Sequence, residues 1–280
     1  QTNFDLTIDD THDWEALQRR MLSLYEHWDP AERDALGSNW FLERIQHADP
    51  TNARFVESQK IGSMIDLPKD KKIVVYFSSS GDEIIELDLN WDAYFGGQEN
   101  ALRLLSKICS EDPDIFLVVR SHPHKRHKPA NDVREWLAAV ENANPDIHLN
   151  PHSDIDSYAL MRQADVVVTY GSTSGIEAAF AGKPVAVMGP SAYNILGAAS
   201  AVTNEDELRS VIVDPHPGNW PGAVSYGLLC NRRGFNYTEI GNPQGDTFTI
   251  GEVTIEPSTE RVKKSSHLRK AYQIRGLLRA

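Results

Sequence analysis

The sequence is poor in cysteine, in basic charge and in long apolar runs, and each shortage excludes a class of protein. Its two cysteines, Cys109 and Cys230, are far apart and match no metal-ligand spacing. Lys and Arg number 28 against 40 Asp and Glu, and the net charge of −12 argues against a general nucleic-acid binder. No apolar run approaches the ~18 residues of a membrane span, and no signal peptide is recognisable. These shortages predict a cytoplasmic protein with no nucleic-acid partner.

Two common nucleotide-binding motifs are also missing from the first strand end. Residues 76–83 read Tyr-Phe-Ser-Ser-Ser-Gly-Asp-Glu. They lack the Gly-x-Gly-x-x-Gly spacing of a dinucleotide fingerprint and the Lys of a P-loop, so NAD-dependent and ATP-hydrolysing functions are disfavoured. The hydroxyls that stand there, Ser78, Ser79 and Ser80, either line a donor or acceptor cleft or form an ordinary turn.

Alternating apolar runs and helical patterns between residues 66 and 215 predict an α/β domain. The apolar runs that predict strands lie at 73–77, 115–119, 147–149, 164–168 and 185–188. Helical patterns separate these runs, and strands that are apolar on both faces favour a parallel sheet. We therefore predict a Rossmann-like parallel sheet covered by helices on both faces.

The segments on either side have different patterns. Residues 1–65 predict a helical extension or linker, which Asp29-Pro30 divides into two helices. Residues 216–280, rich in Gly, Pro and aromatic residues, predict irregular structure, a small hairpin at 247–255 and a C-terminal helix from Pro257. That helix is either solvated and packed on the domain or a peripheral contact with anionic lipid at the inner face of the cytoplasmic membrane. Its basic residues are Arg261, Lys263, Lys264, Arg269, Lys270, Arg275 and Arg279.

The most informative motif lies at residues 169–179, which read Thr-Tyr-Gly-Ser-Thr-Ser-Gly-Ile-Glu-Ala-Ala. It follows a predicted strand and opens a short helix, where backbone N–H groups and the positive end of the helix dipole favour phosphate. The sequence therefore predicts an anion site made of Tyr170, Gly171, Ser172, Thr173, Ser174 and Gly175. Glu177 stands three residues after Ser174, which suits either a capping box or a carboxylate that accepts ribose hydroxyls.

A second cluster follows the strand predicted at 115–119. Arg120 offers two donors to a phosphate, His122 can donate as imidazole or imidazolium, and Pro123 fixes the chain direction beside it. The alternative is a loop histidine with nothing bound. Two Asp-x-Asp spacings also exist. The pair at 112–114 lies at the wrong end of the sheet and the pair at 154–156 suits a helix cap, so no metal and no other cofactor are expected.

Taken together, Arg120-Ser-His-Pro123, Ala164-Asp165, the 170–178 motif and Gly182-Lys-Pro-Val185 resemble bacterial capsule and surface polysaccharide glycosyltransferases. This group includes Kdo transferases, polysialyltransferases and teichoic-acid-type polymerases, and the resemblance spans about residues 60–200. It implies a GT-B fold, of which this chain is the C-terminal, donor-binding half. It also implies which residues meet the nucleotide-sugar donor, with a CMP-linked sugar such as CMP-Kdo expected: His122, Pro123, Ser172, Thr173 and Ser174 at the phosphate and Glu177 at the ribose.

The same resemblance implies a partner domain. In this group an N-terminal acceptor domain supplies the catalytic base, and no second Rossmann pattern precedes residue 66. The chain is therefore expected to be part of a longer enzyme, or to work with an acceptor half on another chain, on a glycan or lipid-linked glycan acceptor. Asp82 and Glu83 are the candidate carboxylates within the chain. A sugar-nucleotide epimerase of the same fold and a non-catalytic nucleotide-sugar-binding module remain alternatives.

Overall fold

The computed structural model describes residues 3–4, 14–80, 95–232, 235–236, 240–244, 247–250 and 253–255 of the chain. It divides into two units, residues 9–232 and residues 1–8 with 233–280. In the smaller unit, strands Asn3–Phe4 and Phe235–Asn236 pair antiparallel. Strands Ile240–Gln244, Thr247–Ile250 and Val253–Ile255 form a three-stranded antiparallel sheet, which contains the hairpin predicted at 247–255. The predicted C-terminal helix lies outside the described residues.

The larger unit contains a six-stranded sheet in which every neighbouring pair is parallel. Its strands run in the spatial order β3-β2-β1-β4-β5-β6, the order of a Rossmann fold. They are β1 (Lys72–Phe77), β2 (Ile115–Arg120), β3 (Ile147–Leu149), β4 (Val166–Thr169), β5 (Val185–Val187) and β6 (Ser200–Ala201). Phe77 pairs with both Arg120 and Thr169, so β1, β2 and β4 end level at one edge of the sheet.

Nine α-helices surround this sheet in the described part of the larger unit. They are α1 (Trp14–His27), α2 (Pro30–Ile45), α3 (Ala53–Val56), α4 (Gln98–Ser110), α5 (Ala130–Ala143), α6 (Ser157–Gln163), α7 (Ser174–Phe180), α8 (Glu205–Val213) and α9 (Trp220–Arg232). A 3₁₀ helix spans Pro123–His127. Helices α4, α5 and α8 cover one face of the sheet, and α1, α2, α6, α7 and α9 cover the other. The predicted Rossmann-like parallel sheet covered on both faces is confirmed.

Helices α1 and α2 belong to the same unit as the sheet. The predicted break between them is confirmed, because α1 ends at His27 and α2 begins at Pro30. Asp29 caps α2 by accepting a hydrogen bond from the Ala31 N–H at 2.8 Å. Met21 of α1 and Phe41 of α2 lie in the same apolar core as the strands. Both helices are therefore packed parts of this unit.

The structure corrects the prediction for residues 216–280, because residues 220–232, expected to be irregular, form α9. Pro221, Gly222 and Gly227 carry the signals that favour a loop. In the structure α9 packs on α2, and Gly227 lies against the backbone of Gly37. Glycine is required there because the two helix backbones touch, so tertiary contact overrides the local preference.

Candidate functional site

A cavity of about 400 Å³ opens at the carboxyl edge of the sheet, where β1, β2 and β4 end. β1 lies between β2 and β4, so the strand order reverses at this point, and α/β sheets bind ligands at such a reversal. Eleven of the residues predicted from the sequence line the cavity. They are Ser78, Ser79, Ser80, Arg120, His122, Pro123, Gly171, Ser172, Thr173, Ser174 and Glu177.

Two residues of the predicted set do not line this cavity. The Tyr170 side chain is fully buried in the core that α4, α5 and α8 cover, and its ring lies against Gly189. Gly175 is packed against the side chains of Tyr193 and Thr169, where a Cβ atom would overlap both. The structure therefore places Tyr170 and Gly175 in the packing behind the site.

The Ser172–Ser174 turn holds its hydroxyls at the cavity wall through local hydrogen bonds. The preceding Gly171 adopts φ 73°, a left-handed conformation that favours glycine. Within the turn the Ser172 hydroxyl donates to Ser174 Oγ at 3.2 Å, and Tyr193 Oη donates to the Ser172 carbonyl. The N–H groups of Ser172 and Gly175, expected to face an anion, donate instead to Thr169 Oγ1 and to the Ser172 carbonyl, at 3.1 and 3.0 Å. The Ser172 hydroxyl is therefore engaged within the turn, and the hydroxyls of Thr173 and Ser174 line the cavity as donors for a ligand.

His122 connects the ends of β1 and β2. Its backbone N–H donates to Ser78 Oγ at 2.8 Å, and its ring Nδ1 accepts from the His124 N–H at 3.1 Å. An imidazolium has no acceptor, so this geometry selects the neutral ring with its proton on Nε2. Pro123 begins the 3₁₀ helix that carries His124, which explains why the His-Pro order suits this position. Of the two protonation states expected from the sequence, the structure favours the neutral donor.

Arg120 brings a buried positive charge to the cavity wall. Its side chain is almost fully buried, and its Nη1 and Nη2 groups donate to the carbonyls of Asn150 and Ser153 at 3.0 and 3.2 Å. Within the described ranges it forms no ion pair with a carboxylate. Burial, with the nearby Arg126 charge, lowers its pKa to about 10, so it remains cationic at neutral pH. The Nη groups, which were expected to donate to a phosphate, donate to backbone carbonyls instead. Arg120 therefore contributes a positive charge to the cavity wall.

Glu177 does not form the capping box that its spacing allows. Thr173 occupies the cap position of α7 without a side-chain hydrogen bond. Glu177 Oε1 instead accepts from Arg44 Nε at 2.5 Å and from Tyr158 Oη at 3.2 Å. Tyr158 also accepts from Asn52 Nδ2 at 2.9 Å. The carboxylate is thus held by residues far from it in sequence.

Six residues before β1 also line the cavity, and sequence reasoning missed them. Trp14, Arg44, Asn52, Phe55, Val56 and Gln59 line it. The Phe55 ring meets the His122 ring edge to face at 5.2 Å. One signal was available for Arg44: it continues the buried stripe of α2 that contains Gly37 and Phe41, where an arginine needs a buried partner.

Other predicted residues lie elsewhere. Asp82 and Glu83 fall outside the described residues and stay predictions. The Asp112–Asp114 pair forms a local turn before β2, and Asp156 caps α6 by accepting from the Tyr158 N–H. In the part of the chain that the structure describes, no group of three or more His, Cys, Asp or Glu residues could hold a metal ion, and no helix is long and apolar enough to cross a membrane. The expectation that no metal is used remains a prediction.

Comparisons with solved structures find matches at low identity. Thermosulfurimonas dismutans KpsC, beta Kdo 2,7 transferase, is 19% identical with a TM-score of 0.40, over 76% of this chain and 56% of that chain. The KpsC beta Kdo 2,4 transferase of the same organism is 15% identical with a TM-score of 0.43, over 74% and 67%. The S. aureus MnaA–UDP co-structure is 19% identical with a TM-score of 0.37, over 59% and 42%. This chain therefore spans about half the length of the first of these proteins.

A comparison with family models identifies the family. No curated protein matches the sequence significantly. The model for "Capsule polysaccharide biosynthesis protein" matches residues 15–213, which is well over half of the 280-residue chain. The match begins in α1 and ends in α8, so it includes the sheet and, apart from Trp14, the N-terminal residues that line the cavity. The resemblance seen in the sequence is confirmed at this level, and the chain belongs to the capsule polysaccharide biosynthesis protein family.

Proposed function

We propose that this chain is the donor-binding part of a glycosyltransferase of capsule synthesis, and that its cavity holds the nucleotide end of an activated sugar. One observation carries the proposal. The ends of β1, β2 and β4 bring serine hydroxyls, a neutral histidine and a buried arginine charge to one cavity of about 400 Å³. Family membership supports capsule synthesis as the setting.

The donor groups of the cavity suit a phosphate that leaves with a negative charge. The Ser174 hydroxyl, which accepts from the Ser172 hydroxyl, and the Nε2 proton of His122 can donate to phosphate oxygens. The Arg120 charge favours an anion nearby. When the bond between the sugar and the phosphate breaks, negative charge grows on the phosphate oxygens. Donors that are already in place stabilise that charge more than they stabilise the bound donor, which is the requirement for catalysis.

The finer identity of the reaction is part of the same proposal. A CMP-linked donor such as CMP-Kdo follows from the family resemblance of the 120–123 and 170–178 motifs. The acceptor, a glycan or a lipid-linked glycan, would approach from a second domain that also supplies the base. No described residue is assigned the role of base.

Nucleotide binding tests the assignment of the site. Calorimetry with CMP, CDP, UDP, GDP and ADP should show selective binding of a cytidine nucleotide. Ser174→Ala and His122→Ala should each weaken it by roughly 1–3 kcal/mol, the range for a hydrogen bond to a charged group. Ser110→Ala is the matched control, since this exposed hydroxyl donates to the Lys107 carbonyl on α4 and does not line the cavity.

The outcomes separate the competing functions. Unchanged affinity in both cavity variants would place the nucleotide elsewhere, and no binding of any nucleotide by the wild-type chain would refute the proposal. Transfer of Kdo from CMP-Kdo to an acceptor glycan, followed by mass spectrometry, tests the activity. Exchange of solvent hydrogen into the sugar would indicate an epimerase instead, and binding without either reaction would indicate a non-catalytic module.

A further inference from the structure

The ion pair between Arg44 and Glu177 joins the N-terminal helices to the wall of the cavity. Arg44 lies on α2 and Glu177 on α7, and they are 133 positions apart in sequence. The exposed fraction is 8% for Arg44 and 6% for Glu177, and the distance from Nε to Oε1 is 2.5 Å. Both side chains line the cavity. A buried ion pair at this distance holds its carboxylate in place, because no bulk water is present to replace the arginine as its partner.

The two oxygens of this carboxylate have different environments. Oε1 accepts both hydrogen bonds, one from Arg44 Nε and one from Tyr158 Oη. No described residue donates to Oε2. A carboxylate oxygen has room for about two donors, so Oε2 keeps its accepting capacity at the cavity wall.

A second set of contacts fixes the two groups that hold Oε1. Arg44 Nη1 donates to Asp49 Oδ2 at 2.9 Å and Nη2 to Asn52 Oδ1 at 3.3 Å, while the guanidinium lies 4.5 Å from the centre of the Trp40 ring. Asn52 also donates to Tyr158 Oη, which directs the phenol proton towards Glu177. Every nitrogen of Arg44 is engaged, so the guanidinium has one orientation.

We propose that Arg44 is a positioning residue: with Tyr158 it holds Glu177 by Oε1, so that Oε2 accepts a hydroxyl of the bound ligand. The inference rests on the proposed function for the identity of that ligand. A carboxylate oxygen attracts hydroxyl donors and repels phosphate. Oε2 therefore faces an uncharged polyol part of the nucleotide sugar, which is either the ribose or the transferred sugar. The serine turn and His122 serve the phosphate.

The test measures selectivity for hydroxyls rather than affinity alone. Calorimetry compares the preferred ribonucleotide with its 2′-deoxy and 3′-deoxy forms, and then with the corresponding sugar nucleotide. Loss of a hydrogen bond to a charged acceptor is expected to weaken binding of one deoxy form by about 10- to 100-fold in the wild-type chain. In Arg44→Lys and in Tyr158→Phe this ratio should fall towards 1, while affinity for the deoxy form changes little.

A matched control and two independent variants keep the result interpretable. Arg33→Met removes an arginine from the same helix that lies outside the cavity lining, and it should leave the ratio unchanged. Tyr158→Phe removes one hydroxyl and leaves both charges in place, so it decides the question if the Arg44 variant fails to fold. A purely structural role would weaken all ligands equally and preserve the ratio.

The remaining outcomes distinguish this inference from the proposed function. If the deoxy forms bind as tightly as the ribonucleotide, the hydroxyl belongs to the transferred sugar. The ratio to follow in the variants is then the affinity for the sugar nucleotide divided by the affinity for the nucleotide alone. Retention of whichever ratio the wild-type chain shows, in folded Arg44→Lys and Tyr158→Phe, would overturn the positioning role only. If the wild-type chain binds no nucleotide at all, the proposed function fails and this inference fails with it.

Discussion

Gly37→Ala is expected to destabilise the protein, although alanine is the better helix former. Gly37 is buried on α2, where α9 crosses it. A Cβ atom at Gly37 would lie 2.5 Å from the Val224 carbonyl oxygen and 2.6 Å from its Cγ1. A Cβ atom at Gly227 would in turn meet the Gly37 carbonyl and the Phe41 ring. The two backbones are therefore in direct contact. A methyl group added at Gly37 would meet a backbone oxygen, which cannot rotate away as a flexible side chain can.

The size of the effect follows from two opposing contributions. Replacing Gly by Ala inside a helix stabilises by about 1 kcal/mol. Overpacking costs about 1–3 kcal/mol, and the upper end applies because a backbone oxygen must move. The expected net effect is a loss of roughly 1–2 kcal/mol, which corresponds to a melting temperature lower by about 2–8 °C for a unit of this size.

Urea and thermal unfolding measure this loss, and a reciprocal variant supplies the control. Ala35 is exposed on the same helix, so Ala35→Gly reports the helix preference of α2 alone and should destabilise by about 1 kcal/mol. If helix preference were the only factor, Gly37→Ala would stabilise by the same amount. A Gly37→Ala protein as stable as the wild type, beside a destabilised Ala35→Gly, would refute the contact. Arg44 lies two turns further along α2, so Gly37→Ala should also reduce the hydroxyl selectivity of the site.

Two further predictions concern charge. Burial raises the pKa of Asp49, but the hydrogen bonds from Thr51 and Arg44 outweigh burial and lower this pKa overall. The ionised Asp49 carboxylate therefore contributes its full stabilisation above its ordinary pKa of about 3.9, and this stabilisation is lost as the pH falls below that value. The stability gap between wild type and Asp49→Asn, measured by urea unfolding, should therefore narrow below about pH 4, and a constant gap would contradict the shift. If the predicted C-terminal basic helix binds anionic lipid, the full chain should pellet with phosphatidylserine vesicles at low salt more than a chain ending at residue 257, and equal pelleting would favour a helix packed on the protein.

Much of the sheet and part of the site could be predicted because the signals are local. Runs such as 73–77 and 166–168 are apolar and β-branched, and such runs form buried strands wherever helices cover both faces. Polar clusters directly after those runs lie at one edge because parallel strands end together, and they do line one cavity. The position of Ser78, His122 and Ser174 around that cavity therefore followed from order along the chain.

Side-chain direction was harder to predict than position along the chain. Tyr170 belongs to the same motif as Ser172, yet its ring lies in the core behind the site. Successive residues at a strand end point to opposite faces, and the turn at Gly171 changes that alternation. A motif of six residues thus divides into residues that line the cavity and residues that pack behind it.

The sequence by itself determined the parallel α/β architecture, the break at Pro30 and the three polar strand ends, since each depends on residues that are neighbours in the chain. Only the tertiary structure decided that α9 is a helix, that α2 meets it at Gly37, and that Arg44 reaches Glu177 across 133 positions. Such contacts depend on how whole helices pack, because burial of their apolar faces supplies the energy that brings distant polar groups together. The sequence therefore did not predict that α1, α2 and α3 line the cavity, because this depends on tertiary packing.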